Sequence, residues 1–311
     1  MKKLLAVLLA LCVAGFAFAQ VTTALTGSGT VTLVNEDTQG VFAPDGSGYD
    51  TFTFSAADKD GKFGFAMTDG DWTTDGLFTI RNWNAWYKGQ FTKVILGNNR
   101  NADFRGTLID GMYANYIFGM DRITGQGVLI ESTTLGALTL GVNLPVPLTA
   151  TDTVDILKKA DIGVKYAIDK VGTVYGLVNL NPAFSNYYEF AFKYTGVENL
   201  SAVVLYKGDI GNAATHYFAA GANYAMDKLT VAVEFDGQYA TAFDGEIAAD
   251  VSYLLTDALT ASVRGMYDFG GTYDAYAKIA YDYGNNLGSF AKIGYDGGLY
   301  YSLAVTYSIS F

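Results

Sequence analysis

The chain of 311 residues contains one cysteine, one histidine and four prolines. One cysteine excludes a disulfide framework and a cysteine-rich metal centre. A single histidine, His216, excludes a multi-histidine zinc site. Charged residues make up 16% of the chain, against roughly 25% in an ordinary soluble domain. There is no basic run, and 31 Asp+Glu outnumber 20 Lys+Arg for a net charge of −11. That balance argues against nucleic acid as a partner, whose footprint is a basic stripe. Half the residues are hydrophobic, which excludes broad disorder. Beyond the first twenty residues no apolar run approaches the roughly 18 that a membrane helix needs. No residue pattern asks for a cofactor. What the chain has in excess is 36 Gly, 23 Tyr and 20 Phe.

The N-terminus reads as an address. Met1-Lys2-Lys3 is a positive start, Leu4 to Phe18 is apolar, and Ala17-Phe18-Ala19 fits a small-x-small cleavage site. Residues 1–19 are therefore expected to be a Sec signal peptide, and 20–311 the mature chain. Cys12 falls inside the apolar stretch, with Leu11 where a lipidation site wants a small residue. An exported chain without a membrane helix is either soluble or a membrane β-barrel.

Period-2 alternation runs through the mature chain. Tyr301, Leu303, Val305, Tyr307, Ile309 and Phe311 alternate with Ser302, Ala304, Thr306, Ser308 and Ser310. The stretches 187–194, 229–236, 247–253, 259–267 and 273–282 repeat this split. Alternate residues of a strand point to opposite faces, so one face is large and apolar. A soluble sandwich turns such a face inward, whereas a membrane barrel turns it to lipid. Three features favour the barrel. Tyrosines bracket the apolar face, as in Tyr188/Tyr194, Tyr273/Tyr281 and Tyr301/Tyr307, which suits two membrane interfaces. Tight turns after Tyr166, Tyr194, Tyr224, Tyr253 and Tyr281 recur roughly every 29 residues. Longer loops are expected between them, giving a hairpin repeat. Finally, the chain ends on Phe311 within an amphipathic strand.

That ending resembles the C-terminal signature of bacterial outer-membrane proteins. The resemblance implies that the barrel assembly machinery reads the strand 299–311, with Tyr307, Ile309 and Phe311 as its signal. Tight turns near 59, 89, 135, 169, 197, 227, 256 and 285 predict an all-β, antiparallel up-and-down barrel of eighteen strands, with sixteen as the alternative. Two places fit poorly. Residues 20–34 alternate weakly, and 78–86 change phase midway, which suggests a bulge or a misread strand.

One interval breaks the period. Between the turns near 89 and 135 the spacing is about half as long again, and the surplus is 98–122. A loop of that length is usually functional. It carries Ile109, Met112, Tyr113, Tyr116, Ile117 and Phe118, which need something to pack against. A loop folded into the bore satisfies them.

Leu96-Gly97-Asn98-Asn99-Arg100 before this loop, and Arg122 leading to Gly125 after it, resemble the general porins of Gram-negative bacteria. The resemblance covers essentially the whole mature chain. It implies an outer-membrane diffusion channel for small hydrophilic solutes and ions, with the third loop narrowing the pore, outer-membrane lipid around it and a homotrimeric assembly. The chain departs from the family by lacking a dense arginine cluster.

Channel selectivity follows bore width and the sign of the lining charge. Candidates at the constriction are Arg100, Asp103, Arg105, Asp110, Asp121 and Arg122. Candidates on the pore wall are Arg81, Lys93, Glu189, Lys193, Glu234, Asp250, Arg264, Lys278 and Lys292. The acidic excess predicts a preference for cations. Two other readings stand beside this one. A non-conducting surface or adhesin-type barrel shares the same strand pattern. An enzyme would need a nucleophile beside His216, and no Gly-x-Ser-x-Gly lies near it. Asp69, Asp71 and Asp75 lack EF-hand spacing and read as a solvated loop.

Overall fold

A computed structural model describes residues 21–35, 51–72, 78–99, 124–133, 135–145, 160–180, 187–210 and 215–310. The described residues form eighteen strands. They are β1 (Val21–Asn35), β2 (Thr51–Asp58), β3 (Phe63–Trp72), β4 (Phe78–Lys88), β5 (Thr92–Asn99), β6 (Thr124–Ser132), β7 (Leu138–Pro145), β8 (Asp161–Ile168) and β9 (Gly172–Asn179). They continue as β10 (Tyr187–Tyr194), β11 (Leu200–Asp209), β12 (His216–Met226), β13 (Leu229–Tyr239), β14 (Phe243–Leu254), β15 (Leu259–Asp268), β16 (Tyr273–Gly284), β17 (Leu287–Asp296) and β18 (Leu299–Ser310). Each strand pairs antiparallel with the next, and β1 pairs with both β2 and β18. The sheet is closed, so no edge is left with unpaired backbone groups.

All eight expected tight turns join strands on one end of the barrel. Their chemistry explains them. Non-glycine residues with positive φ are Lys170, Asn199, Asp227, Asn285 and Asn286, and each sits in one of these turns. Asn285 and Asn286 together make the two-residue hairpin joining β16 to β17, where both central residues need φ above zero. At the opposite end the expected long loops do not hold throughout. β13–β14, β15–β16 and β17–β18 are joined only through 240–242, 269–272 and 297–298. Asp268 helps to close one of these turns by accepting a 2.6 Å hydrogen bond from the Gly270 N–H.

Three local expectations need correction. The phase change in 78–86 is not a bulge, because β3 and β4 pair in one register from Phe63↔Tyr87 to Trp72↔Phe78. Composition changes there, not register. Trp86 lies across Gly64 on the inner side, leaving no room for a Cβ at that glycine, and this puts a large ring where the pattern elsewhere has a small residue. Second, Asp69 and Asp71 belong to β3 and not to a loop, with Asp71 opposite Thr79. Third, Asn98 and Asn99 belong to β5, so the interval between strands starts at 100. The register shifts between Gly97 and Asn99, and a Cβ at Gly97 would meet the Trp83 carbonyl. Asn98 Oδ1 accepts a 2.6 Å hydrogen bond from the Trp83 N–H. The glycine and asparagine of that motif therefore terminate a strand.

The two faces differ as the alternation requires. On the outer face Val263, Ile279, Ile293, Tyr301 and their neighbours are exposed, Val263 to 60%. Its rings gather at two levels. Tyr87, Tyr166, Tyr224, Tyr253 and Tyr281 stand at the tight-turn end, and Tyr188, Tyr239, Tyr267, Tyr273 and Tyr295 at the other. Tyr273 and Tyr295 stack with centroids 5.2 Å apart, and Phe235, Phe243 and Phe269 form a cluster. Tyr273 and Tyr281 bound about 26 Å of strand, the scale of a membrane's apolar band.

Candidate pore lining

Because directly opposed residues share a face, the pairing register carries one face around the barrel. From β10 to β18 every Asp, Glu, Lys and Arg inside a strand falls on the same face. The opposite face of these strands holds no such residue; its one ionisable imidazole, His216, sits at the end of β12. Its Nδ1 lies 2.7 Å from the Tyr206 hydroxyl, which in turn lies 3.2 Å from that of Tyr188. Those polar tips suit a membrane interface. The charged face is the concave one, since its side chains are the more buried although many are polar.

Apart from Arg81, the wall candidates fall on this inner face. Lys93 pairs with Glu131 at 3.7 Å. Glu189 is buried and pairs with Lys207 at 3.6 Å. The Lys207 ammonium also lies 4.2 Å from the Tyr187 ring centre. Lys193 shares a register row with Val203 and Gly221, and Glu234 continues that row fully buried. Asp250 stands opposite Arg264. Lys278 stands opposite Lys292. Arg81 belongs to β4 between Ile80 and Asn82, on the strand parity of outward-facing Tyr87 and not of Trp86, so the register does not place it with the other wall candidates. Tyr307 pairs with Gly29 and Leu287, and Ile309 with Gly27. Arg100, Asp103, Arg105, Asp110, Asp121, Arg122 and Phe311 lie outside the described residues, as do 1–20.

Sequence reasoning passed over several inner residues. Asp236 and Glu246 are fully buried and directly opposed across β13 and β14. Asp244, Asp268, Asp274 and Asp296 form an acidic row at the end away from the tight turns. The parity of their strands was the signal that could have found them. Among the described residues no cluster of His, Cys, Asp or Glu is arranged to hold a metal ion.

The inner wall is not uniform. On β5 to β12 it carries an apolar cluster of Ile95, Leu129, Leu177, Ala191, Val203 and Leu205, with Tyr175 and Tyr217 packed against it. Leu129 is 0% exposed. Polar groups in that region bond to one another, as in Asn143 Nδ2 to Asp161 Oδ2 at 2.8 Å and Asn179 Nδ2 to the Tyr187 hydroxyl at 3.1 Å. On β15 to β18 the inner residues are half-exposed and more strongly charged.

No protein-family model matches the chain, and no curated protein does. Solved structures do. OpdR of Pseudomonas aeruginosa superposes with a TM-score of 0.59 at 12% identity, over 94% of this chain and 96% of that one. The outer-membrane protein OpdK of the same organism gives 0.59 at 12%, over 94% and 99%. The chain has the fold of the outer-membrane porins. A BenF-like porin of Pseudomonas fluorescens superposes with a TM-score of 0.52 at 13% identity, over 94% and 98%. The porin fold accounts for the closed eighteen-strand meander and for the opposed character of its two faces. An eighteen-strand barrel is wide enough to leave a water-filled bore.

Proposed function

We propose that the chain is an outer-membrane channel that passes small hydrophilic solutes and ions by passive diffusion, with a preference for cations. One observation carries this reading: the strand charges of β10 to β18 all fall on the concave face, while the convex face is apolar with tyrosines at both levels. A charge on a lipid face at mid-depth costs about 2–4 kcal/mol, so this segregation is what a barrel in lipid with a wet bore needs. Inner acids outnumber inner bases, which supports cation preference. In this reading residues 1–19 are removed after export, the tight turns face the periplasm, and β18 serves assembly. The porin fold supports a homotrimer only by analogy.

The segment 100–122 completes the proposal as the constriction. Its six large apolar residues need a surface, and the buried apolar cluster on the inner wall of β5 to β12 is a surface of the right kind. That same cluster favours a second reading, in which the bore is plugged and the barrel has a surface role. Purified protein in planar bilayers separates the two. Stepwise conductance, together with swelling of sugar-loaded liposomes, supports the channel. Insertion without conductance means a plugged barrel, and extraction by carbonate alone would mean a soluble sandwich.

A further inference from the structure

The hairpin β16–β17 places charge in an unusual order. Asp274 stands directly opposite Asp296, and four residues along both strands Lys278 stands directly opposite Lys292. Like charges placed directly opposite are destabilising. Exchanging Asp296 with Lys292 would turn both repulsive pairs into attractive ones. The chain instead keeps two acids together and two bases together, about 13 Å apart along the strands.

Local contacts relieve the repulsion without neutralising it. The Lys278 ammonium leans over the Phe290 ring at 5.1 Å from its centre, toward the tight turns. That of Lys292 leans the other way, 4.9 Å from the Tyr300 ring and 5.3 Å from the Tyr276 ring. Cation–π contact holds an ammonium without cancelling its charge. Neither lysine has a carboxylate in ion-pair reach among the described residues. Asp274 accepts only a long hydrogen bond, 3.3 Å, from the Tyr300 hydroxyl. Asp296 is exposed, and the other three charges are half-exposed toward the bore. A hollow of about 410 Å³, lined by Lys278, Thr260, Ala280, Phe290 and Thr306 with the exposed Asp282 at its turn end, opens on the tight-turn side of the lysines.

We infer that this wall is a subsite for short zwitterionic peptides. The ammonium end meets Asp274 and Asp296 near the mouth, and the carboxylate end meets Lys278 and Lys292. Tyr276 and Tyr300 lie between and present their rings to the peptide's middle. The span selects length. Three extended residues cover about 10 Å, which bridges the two pairs once side-chain reach is included. A single amino acid does not span them. The segregated charges are thus complementary to a solute whose own charges are segregated. The inference rests on the channel reading for access to the bore.

The test uses triglycine as probe, applied to the full barrel. In single-channel recordings triglycine is expected to interrupt the current at concentrations about tenfold below those needed with glycine or with N-acetyl-triglycine amide. The variant carrying Asp296→Lys and Lys292→Asp keeps the net charge and removes both like-charge pairs, so it is expected to fold and conduct while losing that tenfold preference. Lys278→Gln with Lys292→Gln should instead make triglycine equivalent to triglycine amide, which keeps the ammonium and lacks only the carboxylate. Equal block by the uncharged derivative, or an unchanged preference in the exchange variant, overturns the subsite. Equilibrium dialysis of triglycine against detergent-solubilised protein reads the subsite even when no current is seen. Specific uptake without current would then count against the channel alone.

Discussion

Glu189 and Lys207 face each other across neighbouring strands of the inner wall and form an ion pair. Lys278 and Lys292 face each other in the same way and repel. These pairs typify two regions of one concave surface. On β5 to β12 the wall is more buried and partly apolar, and its buried acids Glu131 and Glu189 have ion-pair partners. On β15 to β18 it is open, charged and sorted by sign. A wall that packs against other protein must neutralise its polar groups, because an unpaired buried charge is expensive. A wall that faces water has no such requirement. The difference therefore separates a buried part of the inner wall from an open one.

Substitutions can break that comparison. Leu129→Ala leaves a cavity under the packed wall and is expected to cost about 2–5 kcal/mol, read from urea unfolding in detergent or from the temperature at which the gel mobility changes. Lys207→Ala removes the ammonium that lies 3.6 Å from the buried Glu189 carboxylate. Its expected cost is about 2–3 kcal/mol, below that of a fully dry pair because Lys207 is partly exposed. On the outer face, a double-mutant cycle on Tyr273 and Tyr295 should return a coupling of about 0.5–1.5 kcal/mol for the stacked rings. Lys292→Ala comes last, with stability unchanged within about 0.5 kcal/mol. That variant should nevertheless raise the cation-to-anion permeability ratio. A large loss of stability for Lys292→Ala, or none for Lys207→Ala, would erase the distinction between the regions.

Much of this architecture is legible in the chain itself. The tight turns are marked by Asp, Asn and Gly, and the alternation identifies the strands that carry Glu189, Glu234 or Lys278. Four kinds of information are not legible. Trp86 is a large ring on the inner face, and composition alone assigns it to the wrong side. The short connections at 240–242 (Ala-Thr-Ala) and 269–272 (Phe-Gly-Gly-Thr) carry nothing that separates a short turn from a longer loop. The facing of Lys278 and Lys292 depends on a register shift at Asp282/Gly284, where Gly284 takes φ of 76° beside the Asn285-Asn286 turn. A register counted from that turn alone is off by one, because a bulge adds one residue to one strand. The filling of the β5 to β12 wall depends on contacts between residues far apart in sequence, which no local pattern encodes.

The central claim is that the concave, acid-rich face lines an open aqueous bore. The reversal potential of single channels under a tenfold potassium chloride gradient tests it most directly. The account predicts discrete current steps and a potential of the sign set by cation flow, shrinking toward zero as both salt concentrations are raised and the wall charges are screened. Barrels that insert without current, or a potential set by chloride, would contradict it.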